Sequence, residues 1–319
     1  MKRPVIIDTD PGIDDALAIM LALCSPEIDV LGLTIVSGNV PADLGAKNVL
    51  KILKLMNQLD IPVYIGEEVP LKRELVTAQD THGEDGLGET FYPDITDVTH
   101  QYGGVDFILD KIREVPELSI IALGPLTNLT KAMEQDAETF NQLKEIVSMG
   151  GAFKSHGNCS PVAEFNFWVD PDAAKSLFQS SIVPFTMVGL DVTRQIVLTP
   201  ERIVELQRIN TEWSNFIVAI TKFYVDFHWV QEGTVGCVIN DPLAVAYFID
   251  RSICSGFDTF VDVAVSDISL GQSVVDIADF YRSKPNCHVL TEVDVEKFNQ
   301  FFFGRLFPNH KIKGVSYEN

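Results

Sequence analysis

The chain of 319 residues is short of basic side chains: Lys and Arg total 24 against 45 Asp and Glu, a formal net charge of −21. Sequence-independent binding of DNA, RNA or an anionic membrane relies on a basic surface, so the balance argues against these partners. A small ligand made from nucleic-acid parts is not. Cysteine is scarce and unpatterned. Cys24, Cys159, Cys237, Cys254 and Cys287 are odd in number and form no CxxC pair, which argues against a disulfide framework and for a reducing compartment. No apolar run approaches membrane-span length. The first one, residues 5–7, is cut short by Asp8 and is too brief for a signal-peptide core. A cytoplasmic protein is the expectation. With no Gly/Ser- or Pro-rich linker, low-complexity tract or internal repeat, one domain over residues 1–319 is expected. What the chain does have is 46% hydrophobic residues, the profile of a folded globular protein.

Its first half alternates short β-branched runs with helical patterns. Residues 5–8, 30–36, 63–65, 119–123, 145–149 and 184–190 read as strands. Residues 13–24, 43–59, 103–114, 128–135 and 171–180 read as helices. That order predicts an α/β fold with a mostly parallel, Rossmann-like sheet and helices on both faces. Beyond residue 198 the pattern predicts helices over 199–209, 211–230 and 240–248, strands over 259–265 and 288–293, and a closing helix over 294–306. Open sheets of this kind bind ligands beyond the carboxyl ends of their strands. Asp8-Thr9-Asp10, Ser37-Gly38-Asn39, Gly124-Pro125 and Met149-Gly150-Gly151 all fall there.

Asp8, Asp10, Asp14 and Asp15 put four carboxylates within eight positions across a Pro11-Gly12 turn, and Asp241 opens a later helix. Gathering carboxylates is costly unless a cation neutralises them. Oxygen-only ligation favours Ca²⁺ or Mg²⁺ over zinc. Capping explains one carboxylate in a helix's first turn, but not four.

The run Asp8-Thr9-Asp10-Pro11-Gly12-Ile13-Asp14-Asp15-Ala16 resembles the N-terminal signature of the inosine–uridine-preferring nucleoside hydrolases. Further blocks resemble family segments in family order: Ser37-Gly38-Asn39, His82-Gly83-Glu84, Gly124-Pro125-Leu126-Thr127-Asn128, Met149-Gly150-Gly151, Ala163-Glu164-Phe165-Asn166, Met187-Val188-Gly189-Leu190-Asp191 and Asp241-Pro242. The resemblance implies the nucleoside hydrolase fold, hydrolysis of ribonucleosides to base and ribose, and a homodimer or homotetramer. It implies Ca²⁺ held by Asp10, Asp15, Asp241 and the Leu123 carbonyl, with Asp10 as general base toward a metal-bound water and Asp8 in support. Asp14, Asn39, Asn158, Glu164 and Asn166 match ribose-binding positions, and Met149 packs near the sugar. On an extended segment, Glu164 and Asn166 at i, i+2 would face the same way. Thr127 and Asn128 read as a helix N-cap outside the site.

One position departs from the family. Many members carry a His before the last Asp-Pro, taken to protonate the leaving base, and here it is Asn240. An amide cannot give up a proton near neutral pH. His82, in the glycine-containing loop, and His228, on the aromatic helix, are the candidates to compensate, with Tyr224 and Trp229 available to cover a base. Asn240 could donate to the carbonyl oxygens of a departing pyrimidine, which tilts the expectation toward uridine and cytidine. His100, His156, His288 and His310 receive no role, and Cys237 reads as a buried small residue. Residues 69–100 read as a lid carrying His82. Two other readings stand beside hydrolysis: a DxD-type metal phosphatase with Asp8 as nucleophile, and a calcium-dependent nucleoside- or ribose-binding protein that has lost catalysis.

Overall fold

The computed structural model describes residues 2–313; residue 1 and residues 314–319 of the expected domain lie outside the described residues. The strands in chain order are β1 (Arg3–Thr9), β2 (Ile28–Ile35), β3 (Val63–Ile65), β4 (Gln101–Tyr102), β5 (Ser119–Ala122), β6 (Ile146–Met149), β7 (Phe185–Val188), β8 (Val197–Leu198), β9 (Cys237–Val238), β10 (Cys254–Thr259), β11 (Val261–Val263), β12 (Ser273–Val275) and β13 (Cys287–Val293). Nine of them form one sheet in the order β10-β13-β7-β6-β5-β1-β2-β3-β4. Neighbours are parallel throughout except for the antiparallel edge pair β10–β13. This is the single-domain α/β fold that the alternation predicts.

The alternating side chains of β1 explain the layers. Val5 and Ile7 join a core with Leu33, Ile121 and the helices Ile13–Leu23, Asp241–Ile249 and Val295–Leu306. Ile6 faces the other way, toward Ile120, Ile146 and the helices Gly104–Glu114, Thr127–Gln135 and Pro171–Ser180. From β1 the order runs outward through β2, β3 and β4 on one side and through β5, β6 and β7 on the other. The carboxyl ends of β1 and β5 therefore flank the switch point, where such sheets open a crevice.

The expected strand over 259–265 is two strands. β10 ends at Thr259 on the large sheet, and β11 pairs with β12 in a separate hairpin after Phe260. The expected strand over 184–190 stops at Val188, and Leu190 begins a helical turn, Leu190–Thr193. The segment read as a lid bonds both to the helix Ala42–Leu55 and to itself. Asn48 Nδ2 donates to the Asp85 carbonyl (2.8 Å), and the Asp85 carboxylate accepts the N–H groups of Leu87, Glu89 and Phe91. No described helix is long and apolar enough to cross a membrane.

Candidate active site

The turn after β1 delivers the carboxylates. Asp15, in the first turn of the helix Ile13–Leu23, caps it: Oδ2 accepts the Gly12 N–H (2.9 Å) and Oδ1 accepts the Thr9 hydroxyl (2.5 Å). Asn39, beyond β2, donates Nδ2 to Asp15 (3.1 Å) and its backbone N–H to Asp10 Oδ2 (2.7 Å). The turn must be glycine for lack of space. A Cβ at Gly12 would stand 2.6 Å from His82 Nδ1 and 2.9 Å from Asn39 Nδ2.

Asp14, Asp15 and Asp241, all buried, each offer an oxygen within 4.8 Å of the others'. The expected metal set had Asp10 where the tight trio has Asp14. Asp10 is fully buried, and its Oδ1 has no hydrogen-bond partner among the described residues. Burial, reinforced by the neighbouring carboxylates, raises Asp10 and Asp241 well above the usual carboxylate range and Asp15 to about 6. Such a cluster is short of positive charge. The one Lys or Arg side chain lining the adjoining cavity is Arg194, which pairs with Glu232 at 3.5 Å. An all-oxygen set with an orphaned buried oxygen fits a hard divalent cation such as Ca²⁺ or Mg²⁺.

The cavity above the cluster is lined by Asp14, Asn39, His82, Leu123, Met149, Asn158, Glu164, Asn166, His228, Asn240 and Asp241. Every site residue expected from the sequence is there except Asp10 and Asp15, which lie beneath the surface. The helix Glu212–Glu232 supplies one wall through Tyr224, Phe227, His228 and Glu232, at helical spacing. Trp229 falls on the opposite face and is 61% exposed, so it does not cover a ligand.

A profile of the family described as Inosine-uridine preferring nucleoside hydrolase matches residues 5–300. The chain belongs to this family. The Pyrimidine-specific ribonucleoside hydrolase RihA of Escherichia coli (strain K12) is 36% identical over 309 residues, covering 96% of this chain and 99% of the relative. Among solved structures, the plant nucleoside hydrolase PpNRh1 superposes with a TM-score of 0.91 at 33% identity, covering 96% of this chain and 99% of that one. The Purine-Preferring Ribonucleoside Hydrolase from Gardnerella vaginalis gives 0.89 at 33%, covering 95% and 98%.

As a nucleoside hydrolase the chain acts on N-glycosyl bonds, so neither the phosphatase nor the non-catalytic binder stands. Asp8, the nucleophile a phosphatase would expose, is fully buried, with Oδ1 on the Thr34 hydroxyl (2.5 Å) and Asn128 Nδ2 (2.8 Å). Burial raises its pKa to about 7.

The nucleoside hydrolase also corrects several local readings. Thr127 and Asn128 do not cap their helix; Leu126 holds the cap position. Thr127 donates to Asp170 (2.8 Å), while Asn128 links the ends of three strands through Asp8, the Ile35 carbonyl (3.2 Å) and the Glu67 N–H (2.7 Å). Glu164 is itself an N-cap, accepting the N–H groups of Asn166 (2.9 Å), Phe167 (3.3 Å) and Gly151 (2.8 Å), and burial raises it to about 7. Asn166 is therefore helical, and the i, i+2 argument fails. Its amide instead donates to the Leu123 carbonyl (2.7 Å) and the Met149 carbonyl (3.1 Å), joining the ends of β5 and β6. Asn158, exposed at the rim, accepts the Phe165 N–H through Oδ1 (3.0 Å). Arg194 escaped the sequence reading. Besides Glu232, it donates to Ser155 Oγ and to the carbonyls of His156 and Gly157, fastening that loop to the cavity wall. Only its position three residues beyond the Asp191 block hinted at this.

Proposed function

We propose that this hydrolase cleaves ribonucleosides to free base and ribose with Ca²⁺ as cofactor, and prefers uridine and cytidine. The observation that carries the reading is the buried, cation-deficient carboxylate cluster on a cavity with the unpartnered Asp10 oxygen beneath it. Asp10, Asp15, Asp241 and the Leu123 carbonyl would hold the ion. When bound, the ion supplies ligation for the ribose 2′- and 3′-hydroxyls and acidifies a water. Asp10 is the base that takes the proton of the attacking water at Oδ1, its other oxygen being fixed by the Asn39 N–H. Asp14, Asn39, Asn158, Glu164 and Asn166 orient the ribose, with Met149 against it. Their carboxylate and amide oxygens oppose the positive charge that grows on the sugar as the glycosidic bond breaks.

The pyrimidine preference is supported by the similarity to the pyrimidine-specific RihA, while a purine-preferring enzyme lies among the structural neighbours. The Asn240 amide nitrogen gives one N–H to Asp14 (2.9 Å), which leaves its second N–H for a carbonyl oxygen of a pyrimidine. A cytoplasmic location and a homodimer or homotetramer belong to the same reading.

Ribose release by Asp10→Asn tests it. The isosteric change should lower kcat by about 10³ or more with little change in KM, as for removal of a catalytic base. A variant that keeps the wild-type kcat would overturn the assignment.

A further inference from the structure

Three side chains of the cavity wall are placed to meet a departing base, and hydrogen bonding sorts them. His82 accepts the Ile13 backbone N–H at Nδ1 (3.0 Å). A backbone N–H can only donate, so the ring's proton is on Nε2, and a second proton on Nδ1 would break this bond. His82 is a fixed neutral donor. The Asn240 amide gives one N–H to Asp14 and, as an amide, has no proton to release near neutral pH. His228 is arranged the opposite way. Its Nδ1 lies 2.8 Å from the Tyr224 carbonyl, which can only accept, so Nδ1 carries the proton. Nε2 is left basic, with no partner among the described residues, in a side chain that lines the cavity. It can take up a proton without losing any bond. Asp14, His82, Glu164, Arg194, Glu232 and Asp241 line the same cavity, with Arg194 paired to Glu232.

We infer that His228 is the leaving-group acid of this enzyme and that Asn240 is a positioning residue acting through Asp14. The inference rests on the ribohydrolase reading above. In the step, the C1′–N bond breaks and its electron pair stays with the base. The His228 Nε2 proton passes to that base, at O2 of a pyrimidine or N7 of a purine. The water oxygen bonds C1′ and its proton goes to Asp10. Solvent then reprotonates His228 and deprotonates Asp10.

The test compares nucleosides with p-nitrophenyl riboside, whose phenolate leaves without a proton. In His228→Gln, kcat for uridine and inosine should fall by roughly 10²–10⁴ while p-nitrophenyl riboside keeps its rate. Added imidazole should restore nucleoside turnover in His228→Ala. Asn240→Ala, acting through Asp14, should slow both substrate types together. Equal loss on both types in His228→Gln would overturn the inference. Should the variants not fold, the wild-type enzyme decides: an alkaline fall in kcat for uridine that p-nitrophenyl riboside does not share supports it, and a shared fall overturns it. Failure of the underlying reading looks different, since the wild type would then hydrolyse neither substrate.

Discussion

Asn240 reaches one oxygen of Asp14 twice, from Nδ2 at 2.9 Å and from its backbone N–H at 3.2 Å. The Tyr224 hydroxyl donates to the same oxygen at 3.2 Å. Burial, with Asp14 beside it, pushes the Tyr224 phenol well above its ordinary pKa and keeps it a donor. Three donors on Oδ2 fix how Asp14 meets Asp15 and Asp241. Removing the side-chain donor in Asn240→Ala loosens a carboxylate that orients the ribose and should raise KM for uridine about tenfold or more, as expected for a lost hydrogen bond to a charged group. Steady-state kinetics at saturating calcium measure it, and an unchanged KM would refute the role.

Burial raises Asp8 and Glu164 to about 7, above the usual unfolded value near 4. The folded, metal-free protein then binds more protons than the unfolded chain, so these groups favour folding most below about pH 4, and that contribution is lost as pH rises toward 7. The Tm of chelator-treated protein should fall over this window, and calcium should raise Tm more at pH 7 than at pH 5. A Tm that rises steadily to pH 7 without metal would contradict the burial argument.

Space around Asp10 is set by two glycines. A Cβ at Gly38 would stand 2.0 Å from Asp10 Oδ2, and one at Gly124 would stand 2.6 Å from Oδ1. Gly38→Ala should displace the carboxylate and lower kcat by about 10² through misplacement alone. Gly304→Ala is the control: a Cβ there meets nothing within 4 Å and lies in the helix Val295–Leu306. It should keep full activity and gain up to about 1 kcal/mol. Paired kinetics and thermal melts check both, and equal activity in the two variants would refute the packing argument.

The main sheet was readable because β1, β2 and β5 are apolar runs that stop at Asp, Ser or Gly, and burial demands that pattern. β4, β8 and β9 are two residues each and leave no period to read. The cavity was readable because its residues sit at strand ends. Where the side chains point was not, since it depends on partners far away in sequence. Asn128 reaches Asp8 across 120 positions and Asn240 reaches Asp14 across 226. Trp229 was misplaced for the opposite reason: helical spacing alone turns it from the wall that holds Tyr224 and His228.

The most direct measurement is ribose release from uridine, cytidine, inosine and adenosine, each with and without a calcium chelator. The expected result is release that the chelator abolishes and added calcium restores, fastest for uridine and cytidine. Release that survives full chelation, or inosine turned over well above uridine, would contradict it.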